Sequence, residues 1–193
     1  MTPIVSILIP TRGRANRLLK TLASLRETAS SLDNYEVILR VDEDDEETQF
    51  ADFNSDEMRH MLIRERVGYG RLGEMYDEMA AMAQAPWIWI MNDDCEVKGR
   101  GWDTQIKDYS FERVIFQPEF YQLNQSVYRG GGYTFPVVPN GCWRIAGNLK
   151  EPVDAYLDQL LRVDNGWKVK LLEGITVSHV RDNDSTLEEH RKL

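Results

Sequence analysis

Two adjacent carboxylates that follow a strongly apolar run are the residues of this chain best suited to chemistry. Asn92, Asp93 and Asp94 come directly after the segment WIWIM at residues 87–91. Such a run predicts a buried strand, and the ligands of open α/β sheets bind outside the carboxyl ends of their strands. Carboxylate oxygens at that position suit Mg²⁺ or Mn²⁺ bound together with a diphosphate. The alternative is that Asp93 and Asp94 only shape the turn after the strand.

Charged residues also follow two earlier apolar runs. The run at residues 4–9 is followed by three arginines, Arg12, Arg14 and Arg17. The run at residues 35–41 leads into an acidic stretch that begins at Asp42 and extends to residue 47. Clustered cations after a strand suit a phosphate-bearing ligand, although a solvated charged surface has the same composition.

The elements that must position these residues alternate along the chain. Strands are predicted at residues 4–9, 35–41, 61–67, 87–91, 113–117, 133–138, 167–172 and 175–179. Helices are predicted at residues 17–26, 72–83 and 153–161, where apolar residues recur at helical spacing. This alternation predicts an α/β fold with a mainly parallel sheet and right-handed connections.

Length, composition and charge exclude several classes of protein. The 193 residues suit one domain, and their net charge of −9 disfavours tight non-specific binding to nucleic acid or anionic lipid. Cys95 and Cys142 lack the spacing of a zinc or redox motif, which predicts free thiols. The sequence carries no signal peptide and no apolar segment of the ~20 residues that cross a bilayer. We therefore expect a soluble, cytoplasmic protein without membrane insertion.

Taken in order, the segments of this chain resemble the family 2-like glycosyltransferases with the GT-A fold. The resemblance covers roughly residues 4–180. It rests on VSILIPTRGRANRLLKTLASL, VDEDDEE, APWIWIMNDDCEV followed by GW, NGCWRIAG, and VDAYLDQLL with NGWKVKLLEGITVSH. It implies a Rossmann-like single domain over residues 1–193, whose mainly parallel central sheet is flanked by helices, with a small antiparallel portion on the acceptor side. The donor-nucleotide half is expected at about 1–100 and the acceptor half at about 101–180, before a short tail.

The resemblance assigns several residues to the nucleotide of the donor. The residues that lie where the family's first loop meets the nucleotide are Pro10, Thr11 and Arg12, with Arg14 beside them. Asp42 lies where an aspartate binds the base, usually uracil, although it can also be one acid of a solvated loop. Arg71 precedes a helix at a point where a cation can meet the diphosphate.

The resemblance also implies a metal site for Mn²⁺ or Mg²⁺. Asn92, Asp93 and Asp94 match the family's Asp-x-Asp motif, with asparagine in the first position. Asp94 is then the metal ligand, Asp93 a ribose or metal contact, and Asn92 a neutral ribose contact. His179 lies where a late histidine completes the site in the family, while its structural alternative is a hydrogen-bonded residue at a strand end.

An inverting transfer needs one base that removes the proton of the acceptor hydroxyl. The family places this carboxylate near the start of the helix after the acceptor loop, where this chain has Asp154 and, one turn later, Asp158. An acid in the first turn also stabilises a helix through its dipole, which is the alternative role for Asp154. Trp102 and Trp143 match segments that line the sugar and acceptor side, and core packing is their alternative.

These residues predict an enzyme that moves a sugar from a nucleoside-diphosphate donor, above all a UDP-sugar, to a hydroxyl. The acceptor classes left open are a saccharide, a protein, a small molecule and a modified nucleic-acid base, with a soluble acceptor favoured. One alternative is a catalytically silent nucleotide- or sugar-binding domain, which Asn92 favours. Another is a sugar-phosphate nucleotidyltransferase, which should open with a glycine-rich phosphate loop that PTRGRAN is not. The sequence carries no signal of oligomeric state.

Overall fold

The structure of the chain, a computed structural model, describes residues 2–53, 58–107, 113–122, 135–142 and 153–179. Its strands are β1 Val5–Thr11, β2 Tyr35–Asp42, β3 Met58–Arg64, β4 Trp87–Ile90, β5 Cys95–Lys98, β6 Val114–Gln122, β7 Val137–Pro139 and β8 Lys168–His179. Its helices are α1 Ala15–Thr28, α2 Glu46–Gln49, α3 Leu72–Ala80, α4 Trp102–Lys107 and α5 Val153–Asp158, the last continuing into a π-helical turn at Gln159–Val163. Within these ranges, no helix is long and apolar enough to cross a membrane.

The strands form one sheet of mixed direction. The order across the 8-stranded sheet is β3-β2-β1-β4-β7-β6-β8-β5. β1 pairs in parallel with β2 and β4, and β2 pairs in parallel with β3. Because β7 is antiparallel to both β4 and β6, and β6 is parallel to β8, β4, β6 and β8 also share one direction. The carboxyl ends of β1, β2, β3, β4, β6 and β8 therefore meet at one edge of the sheet, called the carboxyl edge below.

Helices cover both faces of this sheet. Alternation along β1 places Ile7 in one hydrophobic core, with Leu18 of α1, and Leu8 in the other, with Met79 of α3 and Leu157 of α5. Side chains of a strand alternate between its faces, so the two cores lie on opposite sides. The structure thus confirms the α/β fold, with a mostly parallel sheet and a smaller antiparallel part.

Trp102 belongs to the core and does not line the sugar side that the sequence suggested. Its side chain is fully buried. It packs edge-on against Tyr35 and Trp89, with ring centroids 5.3 Å and 5.1 Å away. Its indole Nε1 donates a hydrogen bond of 3.1 Å to Thr28 Oγ1. The alternative of core packing is therefore correct for Trp102, while Trp143 lies outside the described residues.

The sheet curls so that its last strand, β5, returns to α1. Thr21 Oγ1 accepts a hydrogen bond of 3.1 Å from the backbone N–H of Cys95, and Ser24 Oγ accepts one of 3.0 Å from that of Val97. Both N–H groups lie on the edge of β5 that none of the eight described strands pairs. Hydroxyls of α1 therefore take the place of a neighbouring strand along this edge.

Several predicted strands differ from the observed ones. β3 begins and ends three residues before the predicted 61–67, and β6 extends beyond the predicted 113–117. The predicted strands 167–172 and 175–179 are one strand, β8, which passes through Gly174 at a φ of 69°. β5 was not predicted, because only Cys95 and Val97 of its four residues are buried and apolar. Residues 133 and 134 of the predicted strand 133–138 lie outside the described part of the chain.

Candidate functional site

The carboxyl edge brings together residues from four separate parts of the sequence. Thr11 ends β1, Asp42 ends β2 and His179 ends β8. Asp93 and Asp94 lie in the short turn between β4 and β5. In the antiparallel pairing of β5 with β8, Cys95 stands opposite His179, so the register itself places the imidazole beside Asp94.

Asp93 is held in a buried position by three other residues. It is 1% exposed, and its Oδ2 accepts a hydrogen bond of 2.7 Å from Thr11 Oγ1. Arg14 Nε lies 3.3 Å from the same oxygen. The backbone carbonyl of Asp93 accepts a hydrogen bond of 2.9 Å from Thr21 Oγ1. The carboxylate is therefore fixed from β1 and from the start of α1.

Burial raises the pKa of Asp93 from 3.8 to about 6, and the charge of Arg14 only partly offsets this effect. The carboxyl group therefore binds its proton more readily in the folded chain than in the unfolded one. Folding then takes up a proton between pH about 4 and about 6, so the free energy of unfolding falls as pH rises through that window.

We expect Asp93→Asn to stabilise the chain at neutral pH when EDTA removes divalent cations. The amide still accepts from Thr11 but carries no buried charge, so the gain in the free energy of unfolding should be on the order of 2 kcal/mol. The gain should shrink as pH falls from about 6 and vanish only well below about 4, where the wild-type carboxyl group is protonated in both states. Urea unfolding across this range measures it, and a difference that does not change with pH would contradict the explanation.

Asp94 lies between an arginine and a histidine. Its Oδ2 accepts a hydrogen bond of 3.2 Å from Arg14 Nη1. Its Oδ1 is 2.8 Å from His179 Nε2. Nevertheless Oδ1 is buried and receives no hydrogen bond from any residue that the structure describes. A carboxylate oxygen and an imidazole nitrogen thus lie in direct contact at the carboxyl edge.

The imidazole of His179 packs against Phe135, an aromatic residue that is itself held from β4. Phe135, just before β7, meets it edge-on with ring centroids 6.3 Å apart. Phe135 has a φ of 52°, a left-handed conformation that is costly for a bulky residue. Its carbonyl accepts a hydrogen bond of 2.9 Å from the buried Trp89 Nε1. A strained residue held in this way next to His179 indicates a preorganised site.

Asp42 is buried beside two arginines. It is 4% exposed. Its Oδ2 accepts a hydrogen bond of 3.2 Å from Arg12 Nη1, and its Oδ1 accepts a short one from Arg40 Nη1. Arg12 also pairs with the exposed Asp44, to which its Nη2 donates a hydrogen bond of 2.9 Å. Arg12, directly after β1, therefore links the first loop to the end of β2.

The other predicted residues lie in different settings. Pro10 and Asn92 are half-buried, in β1 and directly after β4. Arg71 precedes α3 and is exposed, with Nε 2.7 Å from Glu74 Oε1, so its guanidinium is engaged by its own helix. Asp154 and Asp158 lie in the first turn and at the end of α5.

Sequence reasoning missed three residues that shape the site. Thr21 bonds the carbonyl of Asp93, and Asp45 Oδ2 accepts a hydrogen bond of 2.7 Å from the backbone N–H of Gly13. Arg40 is a fully charged side chain that is 2% exposed. The available signal for Arg40 was its position two residues before Asp42, which puts both on one face of a strand whose central residues are apolar.

The sequence matches a known protein family over most of its length. The sequence model of glycosyl transferase family 2 matches residues 6–158, a range that includes Thr11, Asp42, Asp93 and Asp94. No protein with a curated description matches the chain in sequence.

Solved structures share the fold of this chain. The crystal structure of S. aureus TarS gives a TM-score of 0.71 at 10% identity, covering 98% of this chain and 38% of that one. TarS 1–349 in complex with UDP gives 0.70 at 11% identity, covering 91% and 60%. The same TarS fragment in complex with UDP-GlcNAc gives 0.69 at 11% identity, covering 94% and 60%. The chain spans less than two thirds of each of these structures, and the likeness shows a shared GT-A fold.

Proposed function

Because this chain belongs to glycosyl transferase family 2 and has the GT-A fold, we propose that it is an inverting, metal-dependent transferase. The donor is a nucleoside-diphosphate sugar and the acceptor carries a hydroxyl group. The observation that carries this proposal is the convergence of Asp93, Asp94 and His179 at the carboxyl edge. Asp42 lies on the same edge. Together these groups offer separate contacts for a base, a ribose and a diphosphate.

The proposed donor is a UDP-sugar. Asp42 ends β2 with a buried carboxylate, which can accept a hydrogen bond from an N–H group of a base. Two of the similar TarS structures are complexes with UDP and with UDP-GlcNAc, which supports the same nucleotide here. In this proposal Asn92 and Asp93 are the candidates for contacts with the ribose hydroxyls.

Asp94 and His179 would hold the divalent cation, Mn²⁺ or Mg²⁺. Adjacent ligand atoms of one octahedral cation lie about 3 Å apart, and Asp94 Oδ1 is 2.8 Å from His179 Nε2. Buried Asp94 Oδ1 accepts no hydrogen bond within the described ranges, so its lone pairs are available to a cation. No group of three His, Cys, Asp or Glu side chains surrounds a single point within the described ranges, so phosphate oxygens and water would complete the sphere. Such a cation neutralises the charge that develops on the departing nucleoside diphosphate.

Arg14 would bind the diphosphate beside the two aspartates. Its side chain is 26% exposed while it contacts Asp93 and Asp94, so a ligand at the carboxyl edge can approach it. A planar guanidinium suits the paired oxygens of a phosphate. Arg12 and Arg71 are weaker candidates, because Asp44 and Glu74 already engage them.

Asp154 would act as the base that accepts the proton of the acceptor hydroxyl. It lies in the first turn of α5. The buried Val153 and Leu157 of this helix pack in the same hydrophobic core as Leu8 of β1. Asp158, at the other end of this short helix, is the second candidate. Removal of the proton accompanies attack on the anomeric carbon, opposite the departing diphosphate.

Calorimetric titration of UDP and GDP with and without Mn²⁺ tests this function. We expect micromolar binding of UDP that weakens at least about tenfold when EDTA replaces Mn²⁺, because the cation bridges protein and diphosphate. A UDP-sugar should then be consumed in the presence of a suitable hydroxyl acceptor, or hydrolysed slowly without one. Failure of both nucleotides to bind would contradict the proposed function.

The second candidate function is a nucleotide-binding domain without turnover. Asn92 favours it, because the first position of the motif carries no charge in this chain. Binding of UDP and Mn²⁺ without hydrolysis of any UDP-sugar would support this candidate.

A further inference from the structure

A buried arginine, Arg40, is bonded to Asp42 and is not among the residues proposed to contact the donor. Arg40 is 2% exposed, although burial of an unpaired guanidinium is strongly unfavourable. Asp42 lies two residues after Arg40 in β2, so both side chains are on one face of the strand.

Arg40 is fixed from three directions. Its Nη1 donates a short hydrogen bond to Asp42 Oδ1. Its Nη2 donates a hydrogen bond of 2.6 Å to the backbone carbonyl of Glu65, just after β3. Its Nε lies 3.6 Å from Glu78 Oε2 of α3. The guanidinium therefore connects the Asp42 carboxylate to the backbone after β3 by two hydrogen bonds, while Glu78 contributes only its nearby charge.

The two oxygens of Asp42 differ in how firmly they are held. Oδ1 is bound by Arg40 in a buried ion pair, and breaking such a pair is strongly unfavourable. Oδ2 is bound at 3.2 Å by Arg12, whose side chain is 36% exposed and has Asp44 as a second partner. Exchange of such a surface contact for a ligand costs little. Only Oδ2 is therefore readily available to an incoming base.

We propose that Arg40 is a positioning residue that sets the base selectivity of the donor site by reserving Asp42 Oδ1. This inference rests on the proposed nucleotide-sugar donor. Because Oδ1 faces Arg40 and Oδ2 faces Arg12 of the first loop, Asp42 presents one oxygen edge to a base, which suits the single imide N–H of uracil. Guanine presents two neighbouring donors, N1–H and the N2 amino group, which match a carboxylate that turns both oxygens towards them. A site with Arg40 in place leaves one of these guanine donors unpaired, which disfavours guanine.

Titration of UDP and GDP into Arg40→Met and Arg40→Lys, with Mn²⁺ present, tests this proposal. In wild type we expect UDP to bind at least about tenfold more tightly than GDP. In Arg40→Met this preference should fall by about tenfold, because Oδ1 becomes available and the carboxylate can turn. A merely structural defect would weaken both nucleotides together and leave their ratio unchanged.

Thermal unfolding shows whether Arg40→Met is folded. If it is not, Arg40→Lys, which keeps the charge, tests whether Arg40 sets the ratio of UDP to GDP affinity. A lysine ammonium cannot hold Asp42 and the Glu65 carbonyl in one plane, so the ratio should still fall, by about threefold or more. Arg64→Met is the matched control: Arg64 Nε lies 3.9 Å from the same Glu78 oxygen, but the side chain is 51% exposed. Its UDP/GDP ratio should equal that of wild type.

The outcomes separate this inference from the proposed function. Absence of nucleotide binding in wild type overturns the function. Binding of UDP by wild type with an unchanged ratio in the folded Arg40 variants overturns only the role of Arg40. A wild-type preference for GDP also overturns the role of Arg40, while it leaves a nucleotide-sugar donor in place.

Discussion

Replacement of Asp94 by asparagine is expected to lower kcat/KM for the donor sugar by about 10²- to 10³-fold. The substitution removes the charge that faces His179 Nε2 and turns one possible ligand atom into an amide group. Binding of Mn²⁺, followed by electron paramagnetic resonance of the free ion, should weaken by at least about tenfold. The midpoint temperature of thermal unfolding in EDTA should change little, because an amide has nearly the same shape as the carboxylate it replaces.

The control for this variant is Asp33→Asn. Asp33 is an exposed aspartate in the short turn before β2, at the end of the sheet opposite the site. The same loss of charge there should leave Mn²⁺ binding and turnover unchanged. Equal Mn²⁺ affinity in wild type and Asp94→Asn would show that Asp94 is not a ligand.

Replacement of Asp154 by asparagine should lower kcat by about 10³-fold while UDP binds as in wild type. A base acts on the acceptor hydroxyl and makes no contact with the nucleotide, so its loss affects the chemical step alone. Asp158→Asn is the matched comparison, since both residues lie on α5 and lose the same charge. We expect its effect on kcat to be less than about tenfold.

Steady-state turnover with saturating donor, together with calorimetry of UDP, separates these effects. A pH–rate profile of Asp154→Asn should lose the limb that rises as the base ionises. A large loss in Asp158→Asn with normal turnover in Asp154→Asn would transfer the role of base to Asp158. Normal turnover in both variants would exclude α5 as its source.

The fold and the place of the site follow from the sequence because hydrophobic patterning is strong in the first hundred residues. Buried strands such as β1, β2 and β4 are nearly continuous apolar runs, and parallel strands must end at one edge. The sequence alone therefore predicts that the polar residues after Ile90 lie at the carboxyl edge. The resemblance added His179, whose position depends on the β5–β8 register.

What the sequence did not reveal depends on contacts between distant residues. Arg40 appears in sequence as a charge that interrupts a strand, and only the neighbouring Glu65 carbonyl and Glu78 explain its burial. Trp102 follows a glycine turn that resembles a ligand-binding segment, yet it fills the space between Tyr35 and Trp89. Hydropathy gives the average environment of a residue and does not identify its partners.

The hydroxyls of α1 that bond the free edge of β5 also protect the chain against self-association. An unpaired strand edge is a template on which a second chain can add a strand, the first step of many aggregates. Thr21 and Ser24 already occupy the N–H groups of Cys95 and Val97 on that edge. Ser24→Ala would leave the N–H of Val97 without its partner on this edge. We therefore expect the variant to aggregate faster than wild type on storage.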